Sequence, residues 1–171
     1  MKKEEKRKKN IFKIKVFIIC LLIIFSVGFL GSLFTSGNSD SQWYDSVKPS
    51  ITPPSYWFPI VWNIIFLLIA ISLYISWIKI SKIKNKKQRQ KNKKKIILVF
   101  GINFILNVLW SLLFFELRVT KIAFFELIIF LISISLMISM TKKIDKTSSL
   151  LLIPYLLWVS FAGVLNFLVA F

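Results

Sequence analysis

Few residues in this chain could carry acid, base or nucleophilic chemistry, and they are scattered. There is no histidine and one cysteine, Cys20. Ser-His and Cys-His pairs are therefore excluded, there is no cysteine framework for a metal, and a haem iron would lack its commonest axial ligand. Of the carboxylates, only Glu126 falls inside an apolar run. What recurs with order is flat rings and amides. Asn103, Asn107, Trp110 and Phe114 follow i, i+4, i+7, i+11; Tyr155, Trp158, Ala162 and Asn166 follow i, i+3, i+7, i+11; Phe58, Trp62 and Phe66 recur every four residues. Each set is one helix face. Rings with a few amides suit stacking and burial of a large, planar, mostly apolar ligand. The same faces would also serve as interhelical packing, with asparagines bonding from helix to helix.

The elements that must position these faces are long. Hydrophobic residues make up 56% of 171 and the mean hydropathy is +0.71, beyond the range of ordinary globular domains. The apolar residues form runs at about 16–34, 55–78, 96–115, 122–140 and 150–171, each long enough at about 1.5 Å per residue to cross a hydrocarbon core of about 30 Å. The runs are continuous rather than alternating, which excludes a β-barrel. The expected fold is an all-α integral membrane bundle of five transmembrane helices, residues 16–171, behind a basic segment 1–15. The first run is too long for a signal peptide and lacks a small-x-small cleavage site, so it reads as an uncleaved helix.

The net charge of +17 is distributed by side. Of 24 Lys and Arg, 21 lie before Val16, between Lys79 and Lys95, or after Met140, all on one side of the bundle. The positive-inside rule then puts the N-terminus in the cytoplasm and the C-terminus outside. The lysine loop 79–95 reads as a topology anchor that could also attract anionic lipid; it has no aromatic residue on which a nucleic-acid base could stack. The opposite loop, TSGNSDSQWYDSVKPSITPP, combines turn residues, Trp43 and Tyr44, and three prolines that stiffen its return, and reads as a lid. On the helical rise, Trp62, Asn107, Ala162 and Asn166 fall about 8 to 14 Å below the lid-side ends, in one layer. Glu126, about 6 Å below its end, is close enough to snorkel to the interface.

At these residues the sequence resembles the TspO/MBR family of tryptophan-rich sensory and translocator proteins. WYDSVKPSITPPSYWFPIVW, NFILNVLWSLLFFELR and PYLLWVSFAGVLN are similar to three ordered family motifs, and the likeness covers most of the chain from Trp43. It implies a five-helix bundle with a pocket closed by the first loop, and ligands such as porphyrins, sterols and synthetic aromatics. Carried over by position, the pocket would include Trp43, Tyr44, Trp62, Phe66, Asn103, Asn107, Trp110, Trp158, Phe161, Ala162 and Asn166. Asn103 stands where the family usually has Gln, Tyr56 where it has Trp, Phe66 where it often has Tyr, and Glu116 where Gly is common. The C-terminus lacks the Tyr and Arg of the animal sterol motif, which argues against sterol recognition of that type.

The resulting expectation is a receptor or regulator in a prokaryotic plasma membrane that binds a protoporphyrin-like tetrapyrrole, with no cofactor and no metal. Light-dependent porphyrin degradation and transport are the rival readings. The first finds no acid–base constellation here, and the second finds no internal repeat or midplane charge. Gly28-x-x-x-Ser32 and Ser135-x-x-x-Ser139 are spacings that permit close helix approach, including between two copies of the chain.

Overall fold

The computed structural model describes residues 2–171, which form helices joined by short turns and loops, five of the helices being long and apolar enough to cross a membrane. The chain is an integral membrane protein. In order, the elements are α1 (Lys2–Thr35), α2 (Gln42–Val47), α3 (Trp57–Ser81), α4 (Lys86–Ser111), which runs on into a π-helical segment (Leu112–Glu116), α5 (Thr120–Lys142), α6 (Lys146–Leu150) and α7 (Ile153–Ala170). The helix α1 packs on α3 and α4, α4 on α5, and α5 on α7.

The helices outrun their apolar stretches at the lysine end. Residues 2–15 form the first turns of α1, where Glu4 and Glu5 sit in the first turn and Lys8 pairs with Glu4 at 3.3 Å; acidic residues there complement the helix dipole. The lysine loop likewise shrinks to residues 82–85. Asn85 caps α4 by accepting from the Gln88 amide at 3.0 Å, and Lys, Gln and Arg are good helix formers, so the polar stretch extends the helix rather than breaking it. The fifth run is split: Asp145 caps the short α6 through Ser148 N at 3.0 Å, and α7 starts afresh with Pro154 in its first turn, where a missing N–H is harmless.

The tightest packing lies in the lysine-side half. Val16, Cys20 and Ile24 of α1 are buried with Ile65, Ile69 and Leu73 of α3, Ile96 and Phe100 of α4, and Phe130, Ile134 and Met137 of α5. A serine clasp ties α3 to α6: the Ser72 hydroxyl donates to the Ser148 carbonyl at 2.8 Å, Ser148 donates to the Ser72 carbonyl at 2.7 Å, and Ser76 meets the Ser148 hydroxyl at 2.6 Å. All three of these hydroxyls are satisfied, as groups buried in a lipid-embedded bundle must be. Lys79 and Asp145 close the same corner at 2.9 Å.

Glu126 does not snorkel. It is 7% exposed and neither carboxyl oxygen has a hydrogen-bond partner. Its helical phase explains the burial, since Phe130, Ser133 and Met137 follow at i+4, i+7 and i+11 and all face inward.

A candidate ligand cavity beneath the lid helix

At the end opposite the lysines the helices enclose a cavity of about 790 Å³, within the range of small-molecule sites. Its lid is the first loop, with more structure than the turn residues suggested. Ser41 accepts from the Tyr44 amide at 3.2 Å and starts α2. Tyr44 is buried, its ring 5.6 Å from Phe115 and 6.3 Å from Phe114. Trp43 turns the other way, edge-on to Phe114 at 6.0 Å and beneath the Arg118 guanidinium at 5.1 Å. Asn38 adds a tether by donating to Glu116 Oε2 at 3.0 Å. Burial, and secondarily the Asp45 carboxylate, holds the Tyr44 phenol above its usual range.

The lid thus rests on the π-helical end of α4. A π turn is wider than an α turn, and this one presents Phe114 and Phe115 side by side, with centroids 4.9 Å apart, as the lid's seat. Trp110 stacks on Phe114 at 5.2 Å and 19°. Its indole N–H donates to Asn166 Oδ1 at 3.1 Å, and Asn166 Nδ2 donates to the Thr120 carbonyl at 2.9 Å. Trp110 is therefore fixed on α4 by a partner on α7. Facing it, Trp62 of α3 stacks on Phe66 at 5.3 Å and meets Tyr155 edge-on at 6.3 Å, while Trp158 lies 5.7 Å from Phe58.

Below the rings a buried polar chain links three helices. Asn107 Nδ2 donates to the Tyr155 hydroxyl at 3.5 Å, that hydroxyl donates to Asn103 Oδ1 at 3.0 Å, and Asn103 Nδ2 donates to Ser133 Oγ at 2.7 Å. Asn107 stands at the top of this chain, on the cavity floor.

Of the residues singled out in the sequence, Tyr44, Trp62, Phe66, Asn107, Trp110, Trp158, Ala162 and Asn166 line this one cavity. Asn103, Trp43 and Phe161 do not. Asn103 is 0% exposed and engaged between Tyr155 and Ser133, one helical turn too deep. Trp43 packs edge-on to Phe114 and Phe161 sits beside Trp158, 5.8 Å away, both outside the lining. The site list from sequence missed α1 altogether, which contributes Phe25, Gly28, Gly31, Ser32 and Thr35, and it missed Ser111 and Phe115. Gly28-x-x-x-Ser32 was the available signal: a Cβ at Gly28 would stand 2.5 Å from the Phe66 ring, so glycine lets α1 form this wall without displacing that ring. Ser111 continues the Asn107 face by one turn.

The family model of the TspO/MBR family matches residues 19–171. The chain is 34% identical over 151 residues to the tryptophan-rich protein TspO of Chlorobaculum tepidum, covering 87% of this chain and 90% of that one. It is 36% identical over 159 residues to the tryptophan-rich protein TspO of Archaeoglobus fulgidus, covering 92% and 95%. A more distant relative is the translocator protein of Bos taurus, 26% identical over 144 residues, covering 82% and 79%.

Proposed function

The chain belongs to the TspO/MBR family, and from that premise we propose that it is a membrane receptor or regulator that binds a protoporphyrin-like tetrapyrrole in the cavity beneath α2. The observation that carries this reading is the wall: Trp62, Trp110 and Trp158 with Phe58, Phe66 and Phe114 around one space of about 790 Å³. Rings on several sides of a single cavity match a flat aromatic ligand better than a flexible chain. With no histidine anywhere in the sequence, the macrocycle is held by stacking and apolar burial, and a central metal contributes little to affinity. Asn107 on the floor and the hydroxyls near the mouth supply the polar contacts that orient it.

The gathering of basic residues at one end supports a lid end outside a prokaryotic plasma membrane and a lysine end in the cytoplasm. There the Lys86–Lys95 turns of α4 face anionic headgroups, each basic side chain contributing about 1 kcal/mol near a charged leaflet. The spacing Ser135-x-x-x-Ser139 on α5 leaves a second copy of the chain as a partner. The ligand reading is tested by titrating the purified protein with metal-free protoporphyrin and with haemin while following tryptophan fluorescence. Affinities within about tenfold of each other, about 1.4 kcal/mol, are expected. A larger preference for haemin would overturn holding by stacking.

A further inference from the structure

The cavity wall is not closed on every side. Phe25 and Phe29 of α1 and Asn63 of α3 line the cavity, yet Phe25 is 40% exposed, Phe29 is 64% exposed and Asn63 is exposed as well. Both helices cross the membrane, so exposed side chains along their apolar stretches lie against lipid. Side chains that line the cavity and are also exposed on these helices mark where the wall is no more than one side chain thick. Asn63 is the polar member of this set, an amide exposed on a spanning helix whose side chain donates only to its own helix, to the Pro59 carbonyl at 2.8 Å.

This thin wall has a defined lower edge. At Gly28 the backbone of α1 lies against the Phe66 ring, and Phe25 meets the same ring at 6.3 Å. Deeper still, α1 and α3 bury Val16, Cys20, Ile24, Ile65 and Ile69 between them and their neighbours. The thin wall therefore belongs to the lid-side half. From the structure we infer a lateral portal between α1 and α3, bounded by Phe25, Phe29 and Asn63, through which a planar apolar molecule dissolved in the bilayer enters the cavity without displacing the lid.

The aqueous side also has lining residues that are exposed, Ser36, Asp40, Asp45 and Lys48, but widening that mouth for a large planar molecule means moving the lid. Lifting the lid separates Tyr44 from Phe114 and Phe115, Trp43 from Arg118, and Asn38 from Glu116. Using the portal requires only rotation of phenylalanines that already face lipid. A molecule apolar enough to fill an aromatic cavity also concentrates in the bilayer, so the lipid-side route draws on the larger reservoir.

The portal rests on the reading of this cavity as a ligand site, and its test is arranged to be independent of the ligand. In a Cys20→Ala background, Ala162→Cys puts a thiol on the α7 wall of the cavity. The full chain is reconstituted in phosphatidylcholine vesicles containing pyrene maleimide dissolved in the lipid. Labelling is expected, and adding Asn63→Trp should slow it about tenfold, whereas Ile64→Trp, at a neighbouring lipid-facing position that is 55% exposed and outside the lining, should leave the rate unchanged. Equal labelling rates with and without Asn63→Trp would overturn the portal, as would a thiol reached only by a water-soluble maleimide. In the same vesicles Asn63→Trp should slow release of metal-free protoporphyrin about tenfold. Portal-dependent labelling in a protein that binds no protoporphyrin would leave the portal standing and refute the tetrapyrrole reading alone.

Discussion

Two asparagines on one helical face, four residues apart, have different surroundings, and the difference separates binding from packing. Asn107 reaches the cavity floor, whereas Asn103 is enclosed between Tyr155 and Ser133. Asn103→Leu leaves the Tyr155 hydroxyl without its acceptor and removes a donor to Ser133 Oγ, which keeps its own bond to the Phe130 carbonyl, so thermal unfolding in detergent should show a loss of about 1 kcal/mol, while protoporphyrin affinity stays within about twofold. A loss of affinity with unaltered stability would put Asn103 at the ligand instead. Glu126 makes the opposite case. Enclosing a carboxyl with neither oxygen paired is unfavourable in either protonation form, so Glu126→Leu should raise stability by about 1 to 3 kcal/mol. A fall would reveal that the carboxyl has a stabilising partner. The sequence distinguished neither case. Periodicity assigns a face of a helix but not how far its neighbours reach, and depth along the axis alone placed Glu126 within reach of the interface.

At the scale of elements, the close approach of α1 to α3 rests on one missing methyl group. Gly28→Ala forces the Phe66 ring away from a Cβ otherwise 2.5 Å distant, and Phe66 carries Trp62 by stacking. The substitution should lower both stability and ligand affinity, the former by about 1 to 3 kcal/mol as for other overpacked sites, and unfolding and titration of the same sample would show whether the two fall together. At the other end of the molecule, Lys79, with Ser148 N–H helping, holds the Asp145 carboxyl below its usual range. A lowered folded-state value means that this stabilisation is complete at neutral pH and disappears as pH falls through that value. Asp145→Asn keeps a cap but removes the charge, so it should cost less than about 1 kcal/mol at neutral pH and flatten the acid limb of a stability-against-pH curve. The five spanning runs were legible because bilayer thickness fixes their length. The helical ends beyond them were not, because a lysine-rich stretch reads as a loop by charge and as a helix by propensity. The lid helix was hidden for a similar reason: six residues with one Ser cap leave too little periodicity to detect.

For the whole molecule, the aromatic faces on α3, α4 and α7 were visible in the sequence and converge on one cavity, while the wall given by α1 was not, because small residues mark close approach without saying to what. The orientation expected from the lysine bias can be checked directly. A cysteine at Ser46 in α2 should react with an impermeant reagent added outside intact cells, and one at Asn85, the α4 cap, should not; the reverse pattern would invert the protein. The central claim, that the ring-lined space binds a flat ligand rather than merely packing the bundle, is tested most directly at Trp62, which lines the cavity and is only partly buried. The measurement is protoporphyrin titration of wild type and Trp62→Ala in detergent, with thermal unfolding of the same samples. A binding loss of about 1 to 3 kcal/mol, the value of a stacking aromatic, with a stability loss below the roughly 3 to 5 kcal/mol of a core tryptophan, is the expected result. Unaltered affinity in a markedly destabilised protein would contradict it.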